Sequence, residues 1–509
     1  MNLIEKISSY EICKCEQIAH VYKDSSITYG ELIEKSDAIA SYIIDQFGDD
    51  KTPIVVYGHK EHEMLICFLA CVKAGHAYIP IDTSFPYERV RDIVDSSQTN
   101  MIFNVGEFDY KFSDVNVKNY NQIKEILLQY QLHKPDKKYF VGKEDTFYII
   151  YTSGSTGKPK GVQITLSCLE SFINWAAKVC SLRDDFNYVF MNQAPFSFDL
   201  SVMDLYLSLW SGSTLFSIDK SMTSNLKLLF ESFSSSNINI WVSTPSFAEM
   251  CLGDSSFNEE LLPKLETFLF CGETLTNSCA ERLLEKFSKS KVINMYGPTE
   301  ATVAVTSIEV TEEVAKEICP LPVGKVKEDC RIIIVDEDGN EVSEGERGEI
   351  IIIGDSVSIG YYNNNERTEK SFSKKFINGT EKRCYKTGDE GYLKHGLLYY
   401  SGRIDFQIKL NGYRIELEDI ENNLRNIEFI NNCVVIPAIK EDKIQYLNAV
   451  VVLNRSPWEK EFKIAMLIKN ELKKFIPDYM IPRKITIVES LPMTINGKVN
   501  RKALMEETK

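Results

Sequence analysis

At 509 residues the chain is too long for one compact core, and about three units are expected at roughly 100–200 residues per domain. Its composition, 44% hydrophobic and 26% charged, is that of an ordinary globular protein, and a formal net charge of −15 argues against a nucleic-acid partner, which would need a basic face. Thirteen cysteines, odd in number and scattered, speak against a closed disulfide framework.

The opening residues, MNLIEKISSYEICKC, hold no apolar core of a signal peptide. Cys13 and Cys15 lack a second pair at zinc-like spacing, as do Cys67 and Cys71 further on. Buried or incidental thiols in a reducing compartment are expected. Thr52–Tyr57 reads as a buried strand, followed by a helix-like run over Glu61–Ala74 and the apolar Tyr78–Ile81. Met64–Val72, the longest apolar run, is far shorter than the ~18 residues of a membrane span. A cytoplasmic protein without membrane insertion is expected. Phe147–Tyr151 (FYIIY) is a second buried strand, and it runs directly into Tyr151–Gly161, YTSGSTGKPKG. Beyond that loop Leu169, Phe172, Ile173, Ala176 and Cys180 fall at helical spacing, and another helix begins near Ser201. Arg331–Ile353 is β-rich around the turn-forming DEDGNEVSEGERG. A tight turn at Ser401–Arg403 follows Leu397–Tyr400, and a domain boundary is placed at Gly402–Asp405. After it, Leu417, Ile420, Leu424 and Ile427 mark one helix face, and Leu447–Leu453 reads as a strand. Strands alternating with helices through most of the chain make the fold class α/β.

The loop Tyr151–Gly161 has the look of a phosphate cradle but not of a Walker A loop. G-x-x-x-x-G-K-[ST] would need glycine where Thr152 stands and a hydroxyl where Pro159 stands. A plain Gly/Ser linker is the alternative. Against it, hydroxyls and two lysines converge where a buried strand ends, the place where open α/β sheets bind ligands.

Four further stretches carry chemistry: Asn294-Met-Tyr-Gly-Pro-Thr-Glu300, Tyr385-Lys-Thr-Gly-Asp389, Gly402–Glu416 (GRIDFQIKLNGYRIE) and Asn496-Gly-Lys-Val-Asn-Arg501. In this order and spacing, with Ile27–Leu32, Lys73–Asp82, Gly348–Gly354 and Ile476–Pro482, they resemble the adenylate-forming enzymes. That is the family of acyl-CoA synthetases, luciferases and peptide-synthetase adenylation domains. The resemblance spans essentially the whole chain; Ile476 and Asn500 depart from the family's usual leucine and aspartate. It implies a large multi-subdomain N-terminal domain at 1–401, built of two packed αβ sheets plus a distorted β-barrel. A hinge at 402–405 centred on Asp405 and a small mobile α+β C-terminal domain at 406–509 would follow.

By the same resemblance, ATP and Mg²⁺ are required. Thr152 and Ser153, with Ser155, Thr156 and Lys158, would hold the β- and γ-phosphates. Asn294 would meet the adenine edge and Tyr296 its face, while Thr299 reaches the α-phosphate; Met295, Gly297 and Pro298 complete that wall. Glu300 would be the magnesium ligand. Asp389 would accept from the ribose hydroxyls, with Arg403 on the same sugar and Tyr400, Ser401 and Gly402 beside it. Lys498 would be the catalyst, bridging the substrate carboxylate and the α-phosphate, and the loop around Gly412 would line a tunnel for the thiol.

Phe198-Asp-Leu-Ser201 resembles the amino-acid-activating branch, in which the aspartate binds the substrate's α-ammonium group; a cap on the following helix is the plain alternative for Asp199. Gln193–Tyr206, Trp241–Cys251, Phe268–Glu273 and Ala301–Thr306 resemble the members that activate D-alanine for teichoic-acid D-alanylation. There Cys271 would lie beside the substrate Cα, and Leu200, Met203, Cys271 and Val303 would close round a methyl group. Cys251 and Cys279 read as ordinary buried cysteines. The chain runs only a few residues past Arg501, so the implied acceptor is the phosphopantetheine thiol of a separate D-alanyl carrier protein, and a monomer is expected. Two other readings stay open: activation of another small amino acid, and a nucleotide-binding relative without catalysis.

Overall fold

Strands that are buried on both faces set the architecture. In the computed structural model Ile54–Gly58 and Tyr78–Asp82 are buried at every position, as continuous apolar runs in a covered parallel sheet must be. The structure describes the whole chain except residues 107–111, 155–157, 184, 378, 406, 441–442, 455–458, 493–500 and 508–509. It forms two units, one of 1–82, 97–150 and 161–404, the other of 83–96, 151–160 and 405–509.

The first unit contains three sheets. A six-stranded sheet has the order Asn116–Lys118, Met101–Asn104, Ile54–Gly58, Tyr78–Asp82, Thr146–Thr152, Lys160–Thr165. A nine-stranded sheet runs from Lys325–Val326 through Thr306–Glu309, Lys291–Tyr296, Thr267–Phe270, Ile240–Ser243, Val189–Asn192, Thr214–Ser217 and Ile18–Tyr22 to Ser25–Thr28. Its central pairs are parallel and its outer pairs antiparallel. One continuous core joins the two sheets: Ile54 and Val56 from the first, Phe190, Leu215, Val242 and Leu269 from the second. Helices fill the space between, and their starts are written locally. Thr28 and Glu31 form a capping box at Tyr29–Phe47, and Thr165 caps Leu166–Val179 by accepting from the Cys168 N–H. The apolar run Met64–Val72 lies wholly buried in the helix His62–Lys73, with Cys67 and Cys71 as free thiols.

The third sheet stands where a distorted barrel was implied. It is antiparallel and five-stranded: Cys330–Val335, Gly348–Gly354 and the long Thr380–Lys394, which pairs with both Phe372–Ile377 and Leu397–Arg403. The tight turn expected at Ser401–Arg403 is instead the end of that last strand. Arg403 lies directly opposite Asp389, and a shift in register between Glu390 and Gly391 lets the ladder continue.

In the second unit the antiparallel strands Ile430–Lys440 and Lys443–Leu453, with Lys484–Ile487 alongside, are covered by the helices Leu417–Arg425 and Glu461–Leu472. The expected helix face is present: Leu417, Ile420, Leu424 and Ile427 all join this core. Asn411 and Gly412, at φ 51° and 83°, make the two-residue turn of the hairpin Gln407–Leu410/Tyr413–Glu416. Two distant stretches belong to this unit through specific bonds. Arg89 lies 3.4 Å from the fully buried Asp419, and Ser153 Oγ donates to the Arg414 carbonyl at 3.0 Å. Composition along the chain does not register such an assembly from separated pieces.

Gly324 joins the nine-stranded sheet to the antiparallel one. Its carbonyl accepts from the Leu398 N–H at 2.9 Å, and its φ is +104°. A Cβ there would come within 2.1 Å of the Ser307 backbone. Backbone strain and overlap with main-chain atoms act together, so Gly324→Ala is expected to lower stability by about 2–4 kcal/mol. Thermal unfolding followed by circular dichroism checks this; an unchanged midpoint would contradict it.

Candidate active site

The stretch Asn294–Val305 leaves the strand Lys291–Tyr296 and doubles back, the Val305 N–H donating to the Tyr296 carbonyl at 2.8 Å. Gly297 makes this possible, because a Cβ there would fall 2.6 Å from the Ala304 Cα. Thr299–Ala301 forms one 3₁₀ turn, and Thr302 and Val303 then take φ values of 59° and 66°. Left-handed backbone at a β-branched residue is costly, of order 1–3 kcal/mol, and persists only where neighbours hold it. Here the Thr302 hydroxyl donates to the Ser356 carbonyl at 2.7 Å, and the Cys271 thiol points to the Val303 carbonyl at 3.6 Å. The Ser358 N–H donates to the Glu300 carbonyl at 2.9 Å. Glu300 is fully buried and its Oε1 accepts from the Tyr361 hydroxyl at 2.9 Å.

Beside this stretch, Asp389 gathers two of the residues expected at the sugar and base. Its Oδ2 accepts from the Tyr296 hydroxyl at 2.6 Å and its Oδ1 from Arg403 at 2.9 Å. The Asp389 N–H is held by the Thr387 hydroxyl, and Arg403 also donates to the Thr387 carbonyl. Tyr400 faces Tyr296 with ring centroids 5.9 Å apart. Burial, and after it the Asp389 charge, pushes the Tyr296 phenol well up, so it stays a protonated donor. A carboxylate has about four lone-pair sites, and two donors leave it able to accept further hydroxyls. Asn294 is buried and donates its amide to the Pro322 carbonyl at 2.9 Å, which fixes the orientation of its Oδ1. The Met295 side chain belongs to the central core, as do those of Cys271 and Val303.

Asp199 stands at the head of the helix Leu200–Ser211, yet its side chain makes no capping bond and its own backbone is already helical at φ −56°, ψ −34°. The capping alternative is therefore not realised. The Asp199 charge is felt at the buried Tyr148, where, after burial, it pushes the phenol further up. Leu200, Met203, Cys271 and Val303, the four residues expected to line a small apolar pocket, all belong to one packed cluster. Cys251 and Cys279 are buried in the neighbouring core.

Ser401 and Gly402 end their strand in the first unit, whereas Thr152, Ser153, Lys158 and Asp405 lie in the second. Ser153 is buried with its hydroxyl engaged by the hairpin, donating to Arg414 and accepting from the Glu416 N–H at 3.3 Å. Thr152 ends its strand, Lys158 is exposed, and the Asp405 carboxylate accepts from the Gln407 N–H at 3.1 Å. Ser155, Thr156 and Lys498 lie outside the described residues. A magnesium ion would find one buried carboxylate at Glu300. Among the described residues no group of three or more His, Cys, Asp or Glu side chains could cage a metal, which suits an ion whose other ligands come from phosphates. Sequence reasoning missed Tyr361 and Thr387, which orient Glu300 and Asp389; Tyr361 is a tertiary neighbour 61 residues on, whereas Thr387 lies two residues before Asp389 inside a quoted motif.

Comparison with known proteins adds the following. The family model described as AMP-binding enzyme matches residues 13–362, and that of the AMP-binding enzyme C-terminal domain matches 419–498. Proteins of Bacillus cytotoxicus and Bacillus cereus named D-alanine--D-alanyl carrier protein ligase are each 51% identical over 507 residues, covering 100% of this chain and 99% of their own. Among solved structures, the Vibrio cholerae adenylation domain AlmE in complex with glycyl-adenosine-5'-phosphate aligns with a TM-score of 0.83 at 23% identity, covering 99% of this chain and 97% of that one. A protein containing adenylation and PCP domains, holo-PA1221, aligns equally well, over 99% of this chain and 84% of its own. With two family models matched in order and full-length relatives at half identity, the chain belongs to the AMP-binding, adenylate-forming enzymes.

Proposed function

We propose that this enzyme activates D-alanine with ATP and passes the D-alanyl group to the phosphopantetheine thiol of a separate D-alanyl carrier protein, in teichoic-acid D-alanylation. The observation that carries the amino-acid reading is Asp199, a carboxylate at a helix start that does no capping, near a wall of small apolar side chains. The substrate's α-ammonium group would meet that carboxylate in a charge-assisted hydrogen bond. D-Alanine as the substrate is supported by the shared name of the full-length relatives.

In the first half-reaction a carboxylate oxygen of D-alanine attacks the α-phosphorus of ATP. The bond to the bridging oxygen breaks, and its electrons leave with pyrophosphate. In the second, the carrier's thiolate attacks the acyl carbon of D-alanyl-AMP, and the acyl–oxygen bond breaks to release AMP. Negative charge grows on oxygen in both steps, so placed cations and N–H donors dominate the catalysis. Lys498 bridges the two anions that must approach in the first step. Asp389, Arg403 and Tyr296 hold the ribose and base side of the nucleotide, and Asn294 Oδ1 reads the adenine amine. A magnesium ion on Glu300 would neutralise phosphate charge. Thr152, Ser153, Ser155, Thr156 and Lys158 receive the phosphates that leave as pyrophosphate. Asp405 is the point about which the second unit turns between the half-reactions. The described residues include no helix long and apolar enough to cross a membrane. The reading places the enzyme in the cytoplasm, as a monomer.

Three expectations test this reading. In ATP–pyrophosphate exchange with D-alanine, L-alanine, glycine and serine, D-alanine is preferred over L-alanine by ~10-fold or more, the range a shaped apolar wall supplies. A preference for L-alanine or glycine would move the enzyme to another small amino acid. Asp199→Asn raises the KM for D-alanine by ~10–100-fold, the loss of a charge-assisted hydrogen bond, while the KM for ATP stays within about twofold. Lys498→Ala abolishes exchange but leaves thioester formation from supplied D-alanyl-AMP largely intact; an equal fall in both half-reactions would refute its assignment to the first.

A further inference from the structure

A lysine that no motif contains is built into the floor of the segment that carries Asp199. Lys60 follows the strand Ile54–Gly58 of the six-stranded sheet, and its side chain is fully buried. Its ammonium crosses to the end of Val189–Asn192 in the nine-stranded sheet. There it donates to the Asn192 carbonyl at 3.0 Å, the Asn192 Oδ1 at 2.7 Å and the Gln193 carbonyl at 2.9 Å. It also lies 5.9 Å from the centroid of the Phe196 ring, within the range of a cation–π contact. Asn192 extends the grip: its amide donates to the Ala194 carbonyl at 3.1 Å and to Asp204 Oδ1, one turn into the helix that Asp199 heads, at 2.9 Å.

The strand's end, the first residues of the segment and the helix at Asp204 are therefore tied together by one cation and the amide it orients. Three acceptors face three ammonium protons, so each donor is used. Burying an ammonium is expensive, and a methionine or leucine would fill the same volume at less cost to stability. A charge retained at this point is more economically explained by the position it imposes on the chain that follows.

We propose that Lys60 is a positioning residue of the amino-acid site, setting the path of residues 193–199 and so the place at which Asp199 meets the substrate's ammonium group. The proposal rests on the assignment of Asp199 made above and deepens it. Lys60 reaches neither substrate nor nucleotide; it acts through the backbone it holds.

The charge of Lys60 is also poised to respond to pH. Burial pushes its ammonium down to about 7, against the opposing pull of Asp204 on the helix, Asp82 at the end of the adjacent strand and Asp219 beyond Thr214–Ser217. His20, on Ile18–Tyr22, is a further titratable neighbour; burial pushes it well down, with His62 and Lys60 adding to the shift, and burial lowers His62, which lies against it, as well. Burial likewise pushes the Asp204 carboxyl well up. As pH rises, Lys60 becomes an amine with two protons for three acceptors, and one of the bonds that hold the segment is lost.

The test is ATP–pyrophosphate exchange with the full chain, titrating D-alanine and ATP separately. In Lys60→Met the KM for D-alanine rises at least 10-fold and that for ATP changes less than about twofold, and Lys60→Gln, which keeps two N–H donors, loses less. In the wild type the KM for D-alanine rises about threefold or more between pH 6 and 8, and Lys60→Met flattens that slope. Equal rises in both KM values, or an unchanged D-alanine KM in a folded variant, overturn the proposal. A flat wild-type profile overturns it even where neither variant folds. Asp199→Asn run beside them separates the two readings. If it leaves the D-alanine KM unchanged, the amino-acid site itself is wrongly placed; if it raises that KM and Lys60→Met does not, only the role of Lys60 falls.

Discussion

One buried carboxylate ties two sheets of the first unit together. Asp389 lies on the antiparallel sheet, takes a hydrogen bond from Tyr296 at the end of the nine-stranded sheet, and pairs with Arg403 across its own ladder. Removing a carboxylate from water costs several kcal/mol unless its charge is met by donors. Arg403 and the Tyr296 hydroxyl meet it here, and in doing so fix two sheets at a common point. The cost of the burial is what gives the junction its specificity. Any shift of one sheet against the other would break a short charged hydrogen bond in a dry environment, where such bonds matter most.

A second constraint is conformational. The return of the chain from Thr299 to Val305 requires two consecutive left-handed residues without glycine, Thr302 bonded to Ser356 and Val303 to Cys271, while Ser358 holds the Glu300 carbonyl just before them. That economy explains why a cysteine is useful where it stands. Its thiol is a weak donor, small enough to sit against a carbonyl that a larger polar group could not approach, and apolar enough to join the wall formed by Met203 and Val303. Strain stored in such a loop is a way of presenting a carbonyl and a side chain in an arrangement that relaxed backbone would not adopt.

What could be read from the sequence divides along the same lines. Elements fixed by apolar runs were legible: Ile54–Gly58, the helix His62–Lys73, Tyr78–Asp82 and Thr146–Thr152 fall where periodicity puts them, to within a residue or two. The fold class followed from their alternation. The end of the strand at Ser401–Arg403 was not legible, because its glycine reads as a turn and the partner that keeps it in the ladder, Asp389, is known only from pairing. The site residues inside quoted motifs were legible as candidates, but their partners were not. Tyr361 on Glu300 and Pro322 on Asn294 are contacts between stretches with no local signal. Lys60 is the extreme case. Beside His59 and Glu61 it reads as one more surface charge, and only the tertiary structure reveals that its ammonium is buried among carbonyls.

The distribution of these groups along the chain bears on how the two half-reactions can differ. Asn294, Tyr296, Glu300, Asp389, Arg403, Asp199 and Lys60 all belong to the first unit, where one core joins the six- and nine-stranded sheets. Thr152, Ser153 and Lys158 belong to the second, as does Lys498 by its place in the chain. In the proposed function, the groups that bind base, sugar and amino acid serve both half-reactions, whereas those on the leaving phosphates and the bridging lysine serve only the first. Binding groups that must keep their places through two chemical steps are best held by buried charge and strained backbone, which resist displacement. Groups needed in one step only gain from a separate unit with its own core, since they can be withdrawn without loosening the rest. The contrast between Asp389, locked between two sheets, and Ser153, whose hydroxyl is held by a hairpin of its own unit, is that division expressed in single hydrogen bonds.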